Sequence, residues 1–198
     1  MMGSLVICSA AAFETEPLIG NLALDHISFT RVICGVGAID ATAVAARMRD
    51  LVMGRFVVFI GTGGIIGAQA AGRIKMVSEV SLAPYDVRSG TTELVAGFDP
   101  PVSLHTPAWG LETCRAAGSL GVSVAADPSP RYEGFLETME LYAVARQWVP
   151  VASRFVGILC ETNSTGPDAR AEWRREFQSA AHNTGTALTP VIKQFFRE

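Results

Sequence analysis

With 198 residues, 49% of them hydrophobic and 18% charged, the chain has the size of a single domain spanning 1–198. A chain of this length buries about 70% of its extended surface and needs no staples. That composition excludes a disordered chain. The balance of 16 Lys+Arg against 19 Asp+Glu, a net charge of −3 with no basic run, excludes a dedicated nucleic-acid binder. So few charges suit either a large core or an oligomer that hides part of its surface.

In chain order, apolar runs alternate with segments of helical period, the pattern of an α/β domain. No run approaches the ~18 apolar residues of a membrane span. Leu5–Ser9 is expected to be a first buried strand rather than a leader, because Met1–Cys8 lacks a basic start and Glu14 and Glu16 soon interrupt the apolar stretch. Phe13–Ile19 has helical spacing, Phe29–Cys34 reads as a strand ending at Gly35-Val36-Gly37, and Ile39–Val52 is an amphipathic helix. Arg55–Ile60 is apolar without alternation, as parallel strands covered on both faces are, and it runs into the glycine loop Gly61–Gly67. Arg73–Ala83 is a further strand, 84–107 an irregular excursion, Gly121–Ala126 a strand and Asp127-Pro128-Ser129-Pro130 a turn. Phe135–Val149 has helical period, Phe155–Cys160 is a strand, and Asp168–His182 and Pro190–Phe196 are helical.

The four cysteines, Cys8, Cys34, Cys114 and Cys160, have no CxxC spacing, and the three histidines no ligand spacing. Buried free thiols in a reducing cytoplasm fit this usage, with no metal and no cofactor indicated.

Four constellations carry chemistry. The glycine loop at 61–67 could leave N–H groups free for a ligand at a strand's carboxyl end, or be a tight turn. It misses the dinucleotide fingerprint, since Ile66 stands where the third glycine belongs, which weakens an oxidoreductase reading. Glu14 and Glu16 come after the first strand, where a carboxylate can serve as a general base or merely complement a helix dipole. Glu137 and Glu140, one helical step apart beside an apolar continuation, could hold a sugar diol, or an ion pair to Arg146 or a helix cap. Asn163, after the strand at 155–160, could donate to a ring nitrogen and an exocyclic oxygen, or build a turn.

Taken in order, these segments resemble the purine nucleoside phosphorylase/nucleosidase superfamily, and within it the small methylthioadenosine/adenosylhomocysteine nucleosidases and especially the futalosine hydrolases. The matching pieces are Ala12–Leu18, Gly35–Gly37, Phe59–Gly67, Gly72–Glu79, Glu137–Ala145 and Phe155–Phe177, with Glu137-Thr138-Met139-Glu140 the most specific. The resemblance implies a three-layer α/β/α fold with a central mixed, barrel-like sheet, and a cytoplasmic homodimer that acts on a small purine nucleoside without metal, cofactor, nucleic acid or membrane. It assigns Glu16 to the water-activating carboxylate, Glu140 to the ribose hydroxyls, Met139 to packing under the sugar, and Gly63 and Gly64 to the substrate-binding loop. Asn163 falls where adenine-specific members keep an aspartate. The amide suits hypoxanthine, hence futalosine hydrolysis on the way to menaquinone, and leaves Asp168 as a stand-in proton donor. Methylthioadenosine/adenosylhomocysteine hydrolysis and silent nucleoside binding are the alternatives. The chain is also short around 84–130, where an aromatic base-stacking loop is expected. No arginine lies beside either glycine segment to hold phosphate, so hydrolysis is favoured over phosphorolysis.

Overall fold

The computed structural model describes residues 4–24, 26–94, 100–125 and 129–197. Strand β1 (Leu5–Ser9) lies parallel between β2 (Phe29–Ile33) and the first half of β3 (Phe56–Ile65). Beyond that, β3 belongs to a closed ring. It runs parallel to β8 (Arg154–Ser164) along its whole length, while its end pairs antiparallel with β7 (Leu136–Thr138). Strand β7 is parallel to β6 (Glu112–Gly118), β6 is parallel to β4 (Ile74–Leu82), and β4 closes the ring antiparallel to β8. The two-residue β5 (Val102–Ser103) flanks β4. This is the mixed, barrel-like sheet that the resemblance implied.

Helices cover the sheet on two sides. Helix α1 (Glu16–Leu24) packs on the long α6 (Ala169–Arg197), and α2 (Ala38–Arg47) packs on α5 (Leu141–Trp148), with short α3 (Arg49–Val52) and α4 (Tyr85–Arg88) between strands. Successive strand residues face opposite layers, which is why the central strands lack alternation. Val6, Cys8, Val57 and Phe59 join the core beneath α2 and α5, whereas Leu5, Ile7, Phe56, Val58 and Ile60 join that beneath α1 and α6. The buried Trp148 indole donates to the Ala45 carbonyl at 2.7 Å and locks α5 to α2 without an unpaired polar atom.

Several elements differ from expectation. The glycines at 61–64 are not a loop. They continue β3, with a bulge between Gly63 and Gly64, and the chain proceeds to β4 rather than to a helix, so no dinucleotide turn exists here. Phe135–Val149 divides into β7 and α5, because Glu137 is paired with Gly64 and Ala117 in the ring. Gly121–Val124 is not a strand, and the strand in this region is the earlier, more polar β6. Positions 126–128, within the expected strand and turn, lie outside the described residues. The C-terminal helical segments form one helix that passes through Pro190. Among the described residues, no helix is long and apolar enough to cross a membrane.

Candidate active site

A cavity of about 510 Å³ opens where β1, β3 and β8 end and where β7 passes into α5. Carboxyl ends of strands are where open α/β sheets collect ligands, and this volume suits a small molecule.

After β1 the chain turns through a single 3₁₀ turn, Ala12–Glu14, before α1 begins. The turn directs Glu14 inward, where it is only 7% exposed and lines the cavity. Its Oε2 accepts from the Ala11 N–H at 3.0 Å. Burial pushes its carboxyl up from an ordinary 4.5 to about 7, and the charge of Glu140 adds to that rise against the lowering by backbone N–H groups. Glu140 stands at the junction of β7 and α5, also buried. Its Oε1 accepts from the Gly37 N–H at 2.8 Å, a donor presented by a backbone with φ of 93° that favours glycine. Burial raises this carboxyl as well. Neither glutamate has an ion pair among the described residues.

Asn163, 4% exposed near the end of β8, also lines the cavity. Its carbonyl accepts from the Thr162 hydroxyl at 3.0 Å, and its amide donates to the Ser164 carbonyl at 3.2 Å. The Ser164 carbonyl can only accept, so the nitrogen must face it, and the amide keeps one further N–H. A Cβ on Gly64 would stand 2.6 Å from that nitrogen, so any side chain there would push the amide out of this position. Trp173, from the first turns of α6, fastens to the β3 Thr62 hydroxyl at 3.1 Å and stacks on Phe177, with Phe13 against both.

Of the residues expected here, Gly63, Gly64, Met139, Glu140 and Asn163 line the cavity together. Glu16 and Asp168 do not. Glu16 opens α1 with its side chain 66% exposed and paired to Arg31 of β2 at 2.7 Å, because the 3₁₀ turn before it has already used the inward direction for Glu14. Asp168 is exposed just before α6. Where an aromatic loop was expected, the wall is Gly121, Val122 and Val124. Glu137 pairs with Arg88 rather than Arg146.

Solved structures with this architecture include nucleosidases. A Helicobacter pylori 5'-methylthioadenosine/S-adenosylhomocysteine nucleosidase, solved with butyl-thio-DADMe-Immucillin-A, superposes with a TM-score of 0.78 at 13% identity, over 98% of this chain and 99% of that one. Futalosine hydrolase of H. pylori gives 0.78 at 11% identity, with the same coverage of both chains. The fold is that of the purine nucleosidases. A Streptococcus pyogenes S-adenosylhomocysteine nucleosidase, in complex with 5-methylthiotubericidin, gives 0.77 at 15% identity over 98% of this chain and 97% of that one. No family model matches the sequence, and no curated protein matches it either. In this nucleosidase fold the cavity is lined by two carboxylates without an ion pair among the described residues, by a fixed amide, and by Arg170. That arrangement can accept sugar hydroxyls, take a proton from water and hold a heterocycle.

Proposed function

We propose that the chain hydrolyses the N-glycosidic bond of a purine nucleoside. The observation that carries this reading is the pair of buried glutamates, Glu14 and Glu140, which have no ion pair among the described residues and line one cavity with the Asn163 amide. Cleavage passes through an oxocarbenium-like ribosyl cation. Glu140, held by the Gly37 N–H, accepts the ribose hydroxyls with its remaining lone pairs, and Met139 packs beside the sugar. Water adds its oxygen to C1′ as the C1′–N9 bond breaks, and its proton passes to Glu14, whose elevated pKa sets it near the optimum for a general base. The Asn163 N–H stabilises the departing purine by a hydrogen bond. An amide has no proton to give up, and Asp168 lies away from the cavity, so the base takes its proton from solvent.

The substrate that the amide suits is a hypoxanthine nucleoside such as futalosine, which places the activity in menaquinone biosynthesis. One donor can face both N7 and the exocyclic oxygen, whereas the amino group of adenine would meet donor with donor, at about 1–3 kcal/mol. The missing proton donor favours, as a second reading, a nucleoside-binding protein that does not turn over. Exposed apolar residues at and beside the cavity mouth, Val36, Ile39, Leu120 and Val124, support a homodimer, and free cysteines support a cytoplasmic setting.

The test is release of free base from futalosine, 5'-methylthioadenosine and S-adenosylhomocysteine, by wild type and Asn163→Asp. Hypoxanthine release by wild type, with preference moving about ten- to hundredfold toward adenine in the variant, is expected. A wild type that prefers methylthioadenosine contradicts the substrate assignment. Binding without release supports the second reading.

A further inference from the structure

Glu137 lines the cavity, yet both of its oxygens already accept hydrogen bonds from within the protein. Oε1 meets the Arg88 Nη2 at 2.7 Å and accepts from the Ser123 hydroxyl, while Oε2 accepts from the Ser123 N–H at 2.9 Å. The same Arg88 nitrogen donates to the Ser123 oxygen at 2.7 Å, and Nη1 donates to the Ala83 carbonyl at 2.6 Å. The two side chains are 0% and 4% exposed. An ionised pair this deeply buried adds little net stability, since apolar residues of similar volume often do as well or better. Its best-attested use is to fix one arrangement among several.

Here the arrangement is that of the cavity wall. Ser123 sits between Val122 and Val124, whose side chains line the cavity and are 43% and 67% exposed. This wall therefore has little core packing to hold it. Among the described residues its polar ties include Ser123 to the Arg88–Glu137 pair, the Ser123 carbonyl, which accepts from the Gly166 N–H at 3.1 Å, and Gly121 to the Ser119 hydroxyl. Glu137 is itself anchored in the ring, paired with Gly64 on one side and Ala117 on the other.

We infer that Arg88 and Glu137 are positioning residues that clasp the Val122–Val124 wall over the bound nucleoside, and so set substrate affinity rather than the chemical step. The inference rests on the nucleoside reading of the cavity. In place of aromatic stacking, this wall offers two valines, and the clasp fixes where they stand against the base.

The discriminating variant is the double replacement Arg88→Met/Glu137→Leu, which removes both charges and leaves neither buried alone. It leaves the Ser123 N–H and hydroxyl and the Ala83 carbonyl without these partners, so its unfolding temperature is expected to fall. In the folded variant, KM for the hydrolysed nucleoside, and Kd for hypoxanthine or adenine by calorimetry, rise about tenfold or more with kcat changed far less. Amide exchange at Val122–Val124 in the unliganded protein should accelerate together with that loss. Ser123→Ala, which creates no unpaired charge, should move the same quantities in the same direction by less. A double variant that binds base as wild type does overturns the clasp while leaving the nucleoside reading intact. A wild type that binds neither base overturns the nucleoside reading and this inference with it.

Discussion

Glu14 and Glu140 are buried at the cavity with backbone N–H groups as their charge-stabilising partners, whereas Glu161, outside it on the same end of β8, is buried against cations. Lys75 stands 2.9 Å and Arg73 3.4 Å from the Glu161 carboxylate, which also accepts from the Ala71 N–H at 3.0 Å. The pKa directions separate accordingly. Burial raises Glu14 and Glu140. Burial pushes Glu161 up too, but the Ala71 N–H and Lys75 outweigh it and hold that carboxyl below the usual range. Glu137 is also buried against a cation, Arg88, although it borders the cavity. A protein that needs a carboxylate only for architecture neutralises it. One left without a cation keeps its capacity for an incoming hydroxyl or proton.

The largest effect that bears on this contrast is expected at Glu14. Glu14→Gln preserves shape and removes basicity, so turnover should fall by about 10²-fold or more while purine binding persists. Stability should move the opposite way. The folded-state pKa lies above the unfolded one, so the folded chain holds the extra proton. The stability this provides is fully present below pH 4.5 and lost as pH rises through about 7. That loss amounts to about 3 kcal/mol. Chemical denaturation should therefore show the variant more stable than wild type at pH 8, with the gap closing toward pH 4.5.

At Glu161 the expectation reverses. Lys75→Met strands a buried carboxylate with only the half-exposed Arg73 beside it, and should cost about 3 kcal/mol in urea unfolding. If the fold survives, purine affinity should be unchanged. A loss of affinity larger than the loss of stability would erase the distinction between the two regions.

Glu140→Ala should weaken ribonucleoside binding by about 1.5–3 kcal/mol, the usual range for hydrogen bonds to a charged group. The free base, which has no hydroxyls to lose, should bind as before. Equal weakening for nucleoside and base would show Glu140 to be a packing residue.

How far this contrast can be read without coordinates depends on what sets each carboxylate's direction. Strands β1, β3 and β8 announce themselves because both faces are covered, leaving uninterrupted apolar runs. Strand β6, Glu-Thr-Cys-Arg-Ala-Ala-Gly, is half exposed and has no such run, while the apolar Val122 and Val124 that imitate a strand face the cavity instead. Three-residue β7 is too short to show alternation, and the spacing of Glu137 and Glu140 coincides with a helical step. Met139, Glu140, Asn163 and the glycines at 63–64 are recognisable from their order along the chain. Glu14 and Glu16 are not separable by composition, since two residues of chain decide which looks inward. Pro17 is the available signal. It marks the first turn of α1, where Glu16 complements the helix dipole and faces water.

The smallest effect belongs to that exposed position. Glu16→Gln should leave turnover unchanged and alter stability by no more than about 0.5–1 kcal/mol, as for an exposed ion pair.

The nucleosidase reading depends on a buried Glu14 that activates water. The most direct measurement is the pH dependence of kcat/KM for the nucleoside that wild type hydrolyses. A general base at Glu14 predicts a rate that climbs with pH to a plateau, with its midpoint near 7 as the carboxyl ionises, and a limb that vanishes in Glu14→Gln along with most of the activity. A profile flat across that range, or one whose limb survives intact in the variant, would contradict it.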